Sequence, residues 1–167
     1  MTISSIGLDG FPKSRIVLLK QIVDECFIFY TNYNSEKGKS ILKNPNVCLS
    51  FFWPNLERQV IIKGFAEKVT PEISSNYFHS RPTGSQLGAL VSPQSEVIPN
   101  RKYLETKLEN LENEFENKII PKPENWGGFL VKPFSMEFWQ GRPNRLHDRI
   151  RYENQENDLW KIERLAP

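Results

Sequence analysis

Four runs of β-branched and aromatic residues, separated by short polar turns, fill the first part of the chain and constrain the fold more than any other feature. The runs are SRIVLLK (14–20), ECFIFYT (25–31), NVCLSFFW (46–53) and RQVIIKGFAEKV (58–69). Such residues favour strands. Between the second and third runs, Ser35 suits the N-cap of a short helix, EKGKSILKN, which Pro45 ends. The chain is therefore predicted to begin as a sheet.

The middle of the chain changes to a helical pattern, and the last third returns to strands. Two helical segments, 71–81 and 85–92, are split by Pro82 and Gly84, and a longer helix is predicted over 101–117. Strands are predicted at 127–132, 135–141, 145–152 and 158–165. This order predicts a mainly β fold with helices, an antiparallel barrel or sheet, rather than a parallel doubly wound fold. We expect a single domain over residues 1–167.

Charge and composition exclude several classes of partner. Lys and Arg number 22 against 20 Asp and Glu, so the net charge of +2 argues against nucleic acid as a partner. No apolar run approaches the roughly 18 residues of a membrane span, and the first ten residues have no signal-peptide pattern. We therefore expect a soluble, cytoplasmic protein that has no membrane partner. Cys26 and Cys48 lie in apolar runs and are expected to be reduced core residues.

The segment RPNRLHDRIRY (142–152) concentrates positive charge. If 145–152 is a strand, its two-residue period places Arg145, His147, Arg149 and Arg151 on one face. Such a face requires water, facing carboxylates or a bound anion. A solvated edge paired with Glu residues and an anion site are both compatible with this pattern. The preceding FWQG slightly favours a site, because an aromatic wall beside a cation suits a flat aromatic ligand.

A second cluster lies in YFHSRPTGSQ, where Tyr77, Arg81 and Ser85 are four residues apart. Two hydroxyls and a guanidinium on one face could hold a phosphate, although such pairs also occur on helices without function. His79 lies off that face and is interpreted as structural or solvated.

Arg15 and Lys20 bracket IVLL and would point to opposite faces of a regular strand. They can share a pocket only if one lies beyond the strand's end or at a bulge; otherwise they serve different ligands. Lys37 opens the short helix near its positive end, where an anion is favoured.

Other chemistries find little support in the sequence. There is no glycine-rich phosphate loop, no zinc-ligand spacing and no nucleophile elbow. No metal is therefore predicted. Anion cradles and aromatic walls without a protein nucleophile suggest that an organic cofactor supplies the reactivity.

Several blocks together resemble one family. They are RIVLLK (15–20), FYTN (29–32), ERQV (57–60), YFHSRP (77–82), SQLGALVSPQS (85–95), WGGF (126–129), EFWQG (137–141), NRLHDR (144–149) and ERLAP (163–167). The chain is similar, from about Arg15 to Pro167, to the pyridoxamine 5'-phosphate oxidase family, FMN-dependent enzymes that make pyridoxal 5'-phosphate. The resemblance implies an FMN-binding split β-barrel that forms a homodimer with FMN at the interface.

The resemblance also implies roles for individual residues. The expected FMN contacts are Arg15, Ile16, Val17, Leu18, Leu19, Lys20, Tyr30, Thr31, Lys37, Gln59, Gln94, Ser95, Trp139 and Arg149. Expected substrate contacts are Lys20, Tyr77, Arg81 and Ser85 at the phosphate, and Arg145, Leu146 and His147 at the pyridine ring. Arg145 and His147 are expected to be the catalytic pair.

The implied reaction is oxidation of pyridoxamine 5'-phosphate or pyridoxine 5'-phosphate by hydride transfer to the flavin. Dioxygen then reoxidises the flavin and yields hydrogen peroxide. A non-catalytic split barrel that binds flavin or pyridoxal phosphate is the alternative. A polyanion binder that uses 142–152 is disfavoured by the small net charge.

Two departures from the family pattern bear on activity. Glu36 stands where the family usually has an arginine that helps to bind the FMN phosphate, so FMN is expected to bind more weakly unless Glu36 turns outward. The chain begins at MTISSIG without the family's customary N-terminal extension, and slow turnover is expected for a chain of this form.

Overall fold

The computed structural model describes residues 1–155 and 159–167, and in these ranges it contains nine strands and four α-helices. The strands are β1 (Thr2–Ile6), β2 (Pro12–Ile16), β3 (Gln21–Val23), β4 (Cys26–Asn32), β5 (Asn46–Trp53), β6 (Arg58–Lys68), β7 (Trp126–Gln140), β8 (Asp148–Asn154) and β9 (Trp160–Arg164). The helices are α1 (Glu36–Lys43), α2 (Pro71–Ser80), α3 (Thr83–Val91) and α4 (Arg101–Glu114).

The strands form one antiparallel sheet that divides in two along β7. Its order is β2-β1-β5-β6-β7-β4-β3, and β8 and β9 continue from β7 as a branch. The first half of β7 pairs with β4 and the second half with β8, while β6 pairs along its length. This branched sheet with attached helices confirms the predicted mainly β, split-barrel class.

A bulge at Pro133 and Phe134 marks the branch. The register between β6 and β7 shifts between Lys63 and Gly64, opposite these two residues. Proline has no N–H to give to a ladder, so a bulge is where a strand accommodates it. A side chain at Gly64 would place its Cβ only 2.5 Å from the Lys132 carbonyl oxygen, which explains the glycine. The prediction of two strands at 127–132 and 135–141 was therefore wrong: one strand bends there without ending.

Two hydrophobic clusters hold the strands and helices in place. The larger one lies within the sheet and includes the fully buried Phe29, Leu49 and Val131. The smaller one joins α2 and α3 to the start of β7 through Phe78 and Trp126, together with Leu87 and Ile120. Ser35 caps α1 as predicted, since its side chain accepts a hydrogen bond from the Gly38 amide.

Several predicted boundaries differ from the structure. The strand expected over 14–20 ends at Ile16, because 17–20 carry the chain from β2 at one edge of the sheet to β3 at the other. The short, polar β1 was not predicted from the pattern. The helix over 101–117 ends at Glu114, and the strand over 145–152 begins only at Asp148. The last predicted strand is observed as β9, although its predicted first residue, Asp158, lies outside the described residues.

The two cysteines are free, and both are only partly buried. The prediction that they are reduced is confirmed; the prediction that they lie in the core was wrong. Cys26 is the first residue of β4, and Cys48 is the third residue of β5.

Candidate functional site

A cleft of about 450 Å³ opens where the crossing segment 15–20 passes β4, the start of α1 and the α2–α3 corner. It gathers most of the residues that the sequence predicts for cofactor and phosphate binding. These are Arg15, Ile16, Val17, Leu18, Lys20, Tyr30, Thr31, Lys37, Tyr77, Arg81, Ser85, Gln94 and Ser95. Asn32, Ser35, Pro82 and Trp126 also line the cleft and were not predicted as site residues.

Arg15 and Lys20 share this cleft because Lys20 lies beyond the end of β2. The sequence allowed one of the two residues to lie beyond the strand's end, and this is the arrangement that places both cations in one pocket. The Lys20 amide donates to the Ile28 carbonyl oxygen at 2.9 Å, and this bond ties the crossing segment to β4. Leu19, which was expected to contact FMN, does not line the cleft.

Lys37 lies in the first turn of α1 and donates a hydrogen bond from its ammonium to the Thr31 hydroxyl. Burial and, to a smaller extent, the nearby Arg15 cation together lower the pKa of Lys37 to about 8. Thr31 is itself within 3.4 Å of the Gln94 side-chain oxygen. The cleft therefore holds a partly desolvated cation that a phosphate group would stabilise.

Glu36 does not line the cleft but faces two cations on β2. Its carboxylate pairs with Arg15 at 2.6 Å and with Lys13. The hydrogen bond from Lys13, more than any other contact, lowers the pKa of Glu36, so the group is anionic. The carboxylate thus turns outward, away from the cleft, which is the orientation expected to avoid weakening FMN binding. It also forms an ion pair with Arg15, which lines the cleft.

An aromatic wall closes one side of the cleft. The Tyr30 and Tyr77 rings stack with centroids 3.8 Å apart, and Trp126 stacks beside Tyr30 at 5.6 Å. Lys20 lies 6.0 Å from the Tyr77 ring. Gly128 lies opposite Tyr30 on β7, and a Cβ there would come within 2.9 Å of the Tyr30 ring, so the glycine leaves room for that ring.

Arg81 follows α2 and carries a buried guanidinium nitrogen, NH1, that has no hydrogen-bond partner among the described residues. Burial lowers the pKa of this guanidinium. An unsatisfied, buried cationic N–H is costly unless a ligand completes it. With Lys20, Tyr77 and Ser85 in the same cleft, this orphaned donor fits a phosphate group. His79, by contrast, has its ring nitrogens 2.9 and 3.2 Å from the Ser75 and Ile120 carbonyl oxygens, which agrees with its interpretation as a structural or solvated residue.

The remaining predicted site residues form a separate cluster on the branch of the sheet. Gln59, Trp139 and Arg149 lie in one cross-strand row of β6, β7 and β8. The His147 ring lies 4.9 Å from the Trp139 ring. Its Nδ1 accepts from the Arg142 amide at 3.1 Å, so neutral His147 carries its proton on Nε2. None of Gln59, Trp139, Arg145, Leu146, His147 and Arg149 lines the cleft.

The prediction that Arg145 and His147 share a strand face with Arg149 and Arg151 was wrong. Residues 143–145 form a 3-10 turn in which Asn144 and Arg145 have φ of 58° and 61°. Two consecutive left-handed residues cannot continue a strand. Arg149 and Arg151 do alternate on β8 as predicted.

Facing carboxylates satisfy most of the arginines in 142–152. Arg149 makes a two-pronged pair with Glu137 at 2.8 and 3.1 Å, and Arg151 pairs with Glu163 at 2.6 Å. Arg142 pairs with Asp148 at 2.7 Å. Within residues 1–155 and 159–167, Arg145 alone in this segment has no carboxylate partner, so it is the arginine that an anionic ligand would complete.

Two other kinds of site were sought in the described parts of the chain. No group of three or more His, Cys, Asp or Glu side chains there is arranged to hold a metal ion. No helix in those parts is long and apolar enough to cross a membrane.

Comparison with known proteins identifies the family. A family model described as "Pyridoxamine 5'-phosphate oxidase" matches residues 1–114, and one described as "Pyridoxine 5'-phosphate oxidase C-terminal dimerisation region" matches residues 126–167. The chain belongs to the pyridoxamine 5'-phosphate oxidase family. The resemblance drawn from the sequence blocks is thereby confirmed, and the family name is that of an oxidoreductase.

Relatives named pyridoxine/pyridoxamine 5'-phosphate oxidase are similar over nearly the whole chain. A Flavobacterium johnsoniae protein is 70% identical over 166 residues, which cover 99% of this chain and 78% of that protein. A protein of Leptospira interrogans is 54% identical over 167 residues, with 100% and 78% covered. The matched lengths include both the cleft and the branch cluster.

Solved structures share the fold. PhzG from Burkholderia lata 383, in complex with tetrahydrophenazine-1-carboxylic acid, has a TM-score of 0.93 and 27% identity, with 99% of this chain and 81% of that chain covered. An FMN-binding protein of Nostoc punctiforme, described as related to pyridoxamine 5'-phosphate oxidase, has a TM-score of 0.78 and 15% identity. It covers 99% of this chain and 87% of that chain, and at this identity it shows the fold alone.

Proposed function

We propose that this chain is an FMN-dependent oxidase that converts pyridoxamine 5'-phosphate or pyridoxine 5'-phosphate to pyridoxal 5'-phosphate, consumes dioxygen and releases hydrogen peroxide. One observation carries the proposal: beside an aromatic wall, a single cleft contains two groups of cationic and hydroxyl side chains, each of which could bind a phosphate. An enzyme of this kind must hold two phosphates at once, that of its flavin and that of its substrate.

The first set would hold FMN. Arg15, Lys37 and Thr31 offer two cations and a hydroxyl to its phosphate, and the start of α1 adds its positive end. Segment 16–20, Tyr30, Gln94 and Ser95 would contact the rest of the cofactor. When bound, FMN supplies the redox chemistry, taking a hydride from the substrate and passing electrons to dioxygen.

The second set would hold the substrate's phosphate. Lys20 and Arg81 supply charge, and the Tyr77 and Ser85 hydroxyls supply further hydrogen bonds. Fixing one end of a small ring lowers the entropic cost of orienting the other end, where the reaction occurs. The chain's main contribution to catalysis is this positioning.

A second copy of the chain would complete the site. The branch cluster begins at Trp139, thirteen residues beyond Trp126 along β7, and none of its residues lines the cleft of the same chain. We infer that Gln59, Trp139 and Arg149 of a partner subunit contact FMN, and that Arg145, Leu146 and His147 of that subunit contact the substrate ring. Arg145, which lacks a carboxylate partner in the described chain, is then free to orient the substrate.

His147 would help with proton movement. Because its Nδ1 accepts from the Arg142 amide, the proton of the neutral ring is on Nε2, which is therefore the atom that would donate it. Its contact with Trp139 fixes the ring plane. Both residues lie close to Arg145 in sequence, so the three would move as one unit.

The proposal is tested by the visible spectrum of the purified protein and by its response to pyridoxine 5'-phosphate in air. Flavin absorption bands, hydrogen peroxide release and the absorbance of pyridoxal 5'-phosphate are the expected results. Bound flavin without turnover would contradict the oxidase and support the non-catalytic binding protein. Absence of flavin after reconstitution with excess FMN would contradict the cofactor assignment.

A further inference from the structure

The Arg81 guanidinium is held in the cleft by aromatic rings, whereas several arginines elsewhere in the described chain are held by carboxylates. Its central carbon lies 4.6 Å from the Trp126 ring centroid and 5.8 Å from that of Phe78. Among the described residues no carboxylate lies within ion-pairing distance of it. Arg15, by contrast, is paired with Glu36, and Arg149 with Glu137.

Trp126 is itself rigidly placed. Its side chain is 7% exposed and packs edge-to-face on Phe78 at 5.3 Å. Its plane lies within 12° of that of Tyr30 and within 6° of that of Tyr77. The backbone is fixed as well, because Trp126 opens β7 opposite Asn32. A ring with contacts on its face and its edge has little freedom to turn.

The two kinds of support have different consequences for an anionic ligand. A carboxylate partner neutralises a guanidinium and occupies its N–H donors. An indole face attracts the cation through its quadrupole and leaves the in-plane N–H donors unoccupied. In agreement with this, NH1 of Arg81 is buried and has no partner in the described chain.

We propose that Trp126 is a positioning residue for phosphate binding: its indole face orients the Arg81 guanidinium and keeps it charged and uncompensated, so that its N–H groups are available to the substrate's phosphate. This inference rests on the proposed function, since it concerns the same cleft. It adds a residue that no part of the sequence-based assignment included.

A double-mutant cycle with Trp126→Leu and Arg81→Met tests the inference in the FMN-loaded protein. We expect Trp126→Leu to raise the Kd for pyridoxal 5'-phosphate about tenfold, and the Kd for pyridoxal, which lacks the phosphate, by less than about twofold. In the Arg81→Met background, Trp126→Leu should have little further effect. A purely structural role would weaken both ligands alike and would act equally in both backgrounds, and either result would overturn the inference.

A second measurement covers the case in which Trp126→Leu does not fold. The four tryptophans of the chain are replaced biosynthetically by 5-fluorotryptophan and then by 5,7-difluorotryptophan, which keep the ring's shape and weaken its attraction for a cation. Pyridoxal 5'-phosphate affinity should fall stepwise. The same labelling of the Trp126→Phe variant is the control and should give no trend. Equal affinity at every fluorine content would contradict the inference.

Inorganic phosphate separates this inference from the proposed function. If phosphate binds with Trp126–Arg81 coupling but pyridoxine 5'-phosphate is not oxidised, the positioning role stands and the oxidase does not. If oxidation occurs and the cycle is additive, the oxidase stands and the positioning role does not. If neither phosphate nor pyridoxal 5'-phosphate binds, both are wrong.

Discussion

At the scale of single residues, the partner of each cation decides what it can do. Arg149, Arg151 and Arg142 are matched by carboxylates, so their charge is already used in holding the sheet branch together. Arg81 and Lys37 lie in the cleft without such partners among the described residues. Burial raises the free-energy cost of keeping them charged, which lowers the pKa of both groups. Phosphate binding is therefore expected at the buried cations that lack a carboxylate partner.

Arg15 is an intermediate case, because Glu36 competes with a ligand for it. We predict that Glu36→Gln tightens FMN binding about two- to fivefold, since loss of this weak surface ion pair releases Arg15 to the phosphate. Titration of the apoprotein with FMN, followed by flavin fluorescence, measures the effect. Asp9→Asn is the matched control: it removes the other carboxylate that pairs with Lys13 and does not touch Arg15. Unchanged or weaker FMN binding in Glu36→Gln would contradict this role.

Lys37 makes FMN binding depend on pH. Its pKa in the free cleft is about 8, so it loses its charge as the pH rises past that value, and its attraction for the phosphate is lost with it. FMN affinity should therefore fall between about pH 7 and pH 9.5, and binding near pH 8 should take up a proton. Measurement of the Kd across this range checks the sign. Lys37→Arg, which stays charged, should give a flatter profile; identical profiles would rule out Lys37 as the titrating group.

At the scale of elements, short-range patterns predicted which segments are strands or helices, and long-range geometry decided where they end. The strand at 46–53 and the cap at Ser35 were predicted correctly, because each depends only on neighbouring residues. The strand at 14–20 was overextended, because the chain leaves the sheet after Ile16 to reach the opposite edge. A local sequence pattern does not indicate at which edge of the sheet the following strand pairs.

The same distinction holds for the site. The spacing of Tyr77, Arg81 and Ser85 predicted a cradle, and all three line the cleft. Trp126 escaped prediction, because its place beside Arg81 depends on the pairing of β7 with β4. The prediction that Arg145 and Arg149 share a strand face was wrong, because Asn144 and Arg145 adopt left-handed conformations that a run of polar residues does not reveal.

The bulge on β7 depends on the close approach at Gly64. Gly64→Ala should destabilise the protein by about 1 to 3 kcal/mol, because the new methyl group would meet the Lys132 carbonyl oxygen and the Val131 side chain. Gly84→Ala is the control, since open space surrounds that position in α3 and a gain of about 0.4 to 1 kcal/mol is expected. Denaturant unfolding measures both. Equal stability of the two variants would show that the branch tolerates a side chain at its closest approach.

At the scale of the whole molecule, the cleft and the branch cluster are two halves of one proposed site. The cleft contains the proposed phosphate-binding side chains, and the branch carries Arg145 in the 143–145 turn and His147 just after it, beside Trp139. The family model that covers residues 126–167 is described as a dimerisation region, and it contains the whole branch. A dimer in which each cleft receives the partner's branch would bring the two halves together.

A single substitution in the cleft and a single substitution in the branch should each abolish most oxidase activity. Arg81→Ala and Arg145→Ala should each abolish most oxidation of pyridoxine 5'-phosphate, by about a hundredfold or more, while FMN remains bound. The first removes a phosphate ligand and the second removes the group that orients the ring. Steady-state assays and the flavin spectrum of each variant check this. Full activity of either variant would remove that residue from the site.

Mixing these two inactive variants tests the central claim most directly. Subunits of Arg81→Ala and Arg145→Ala are unfolded together, refolded with FMN and assayed with pyridoxine 5'-phosphate. If each site combines the cleft of one chain with the branch of the other, half of the dimers are mixed and each of these has one intact site, so activity should recover to about a quarter of that of the wild type. If both residues serve the site from the same chain, every site in the mixture carries one substitution. Activity would then stay at the level of the separate variants, and the two-chain site would be wrong.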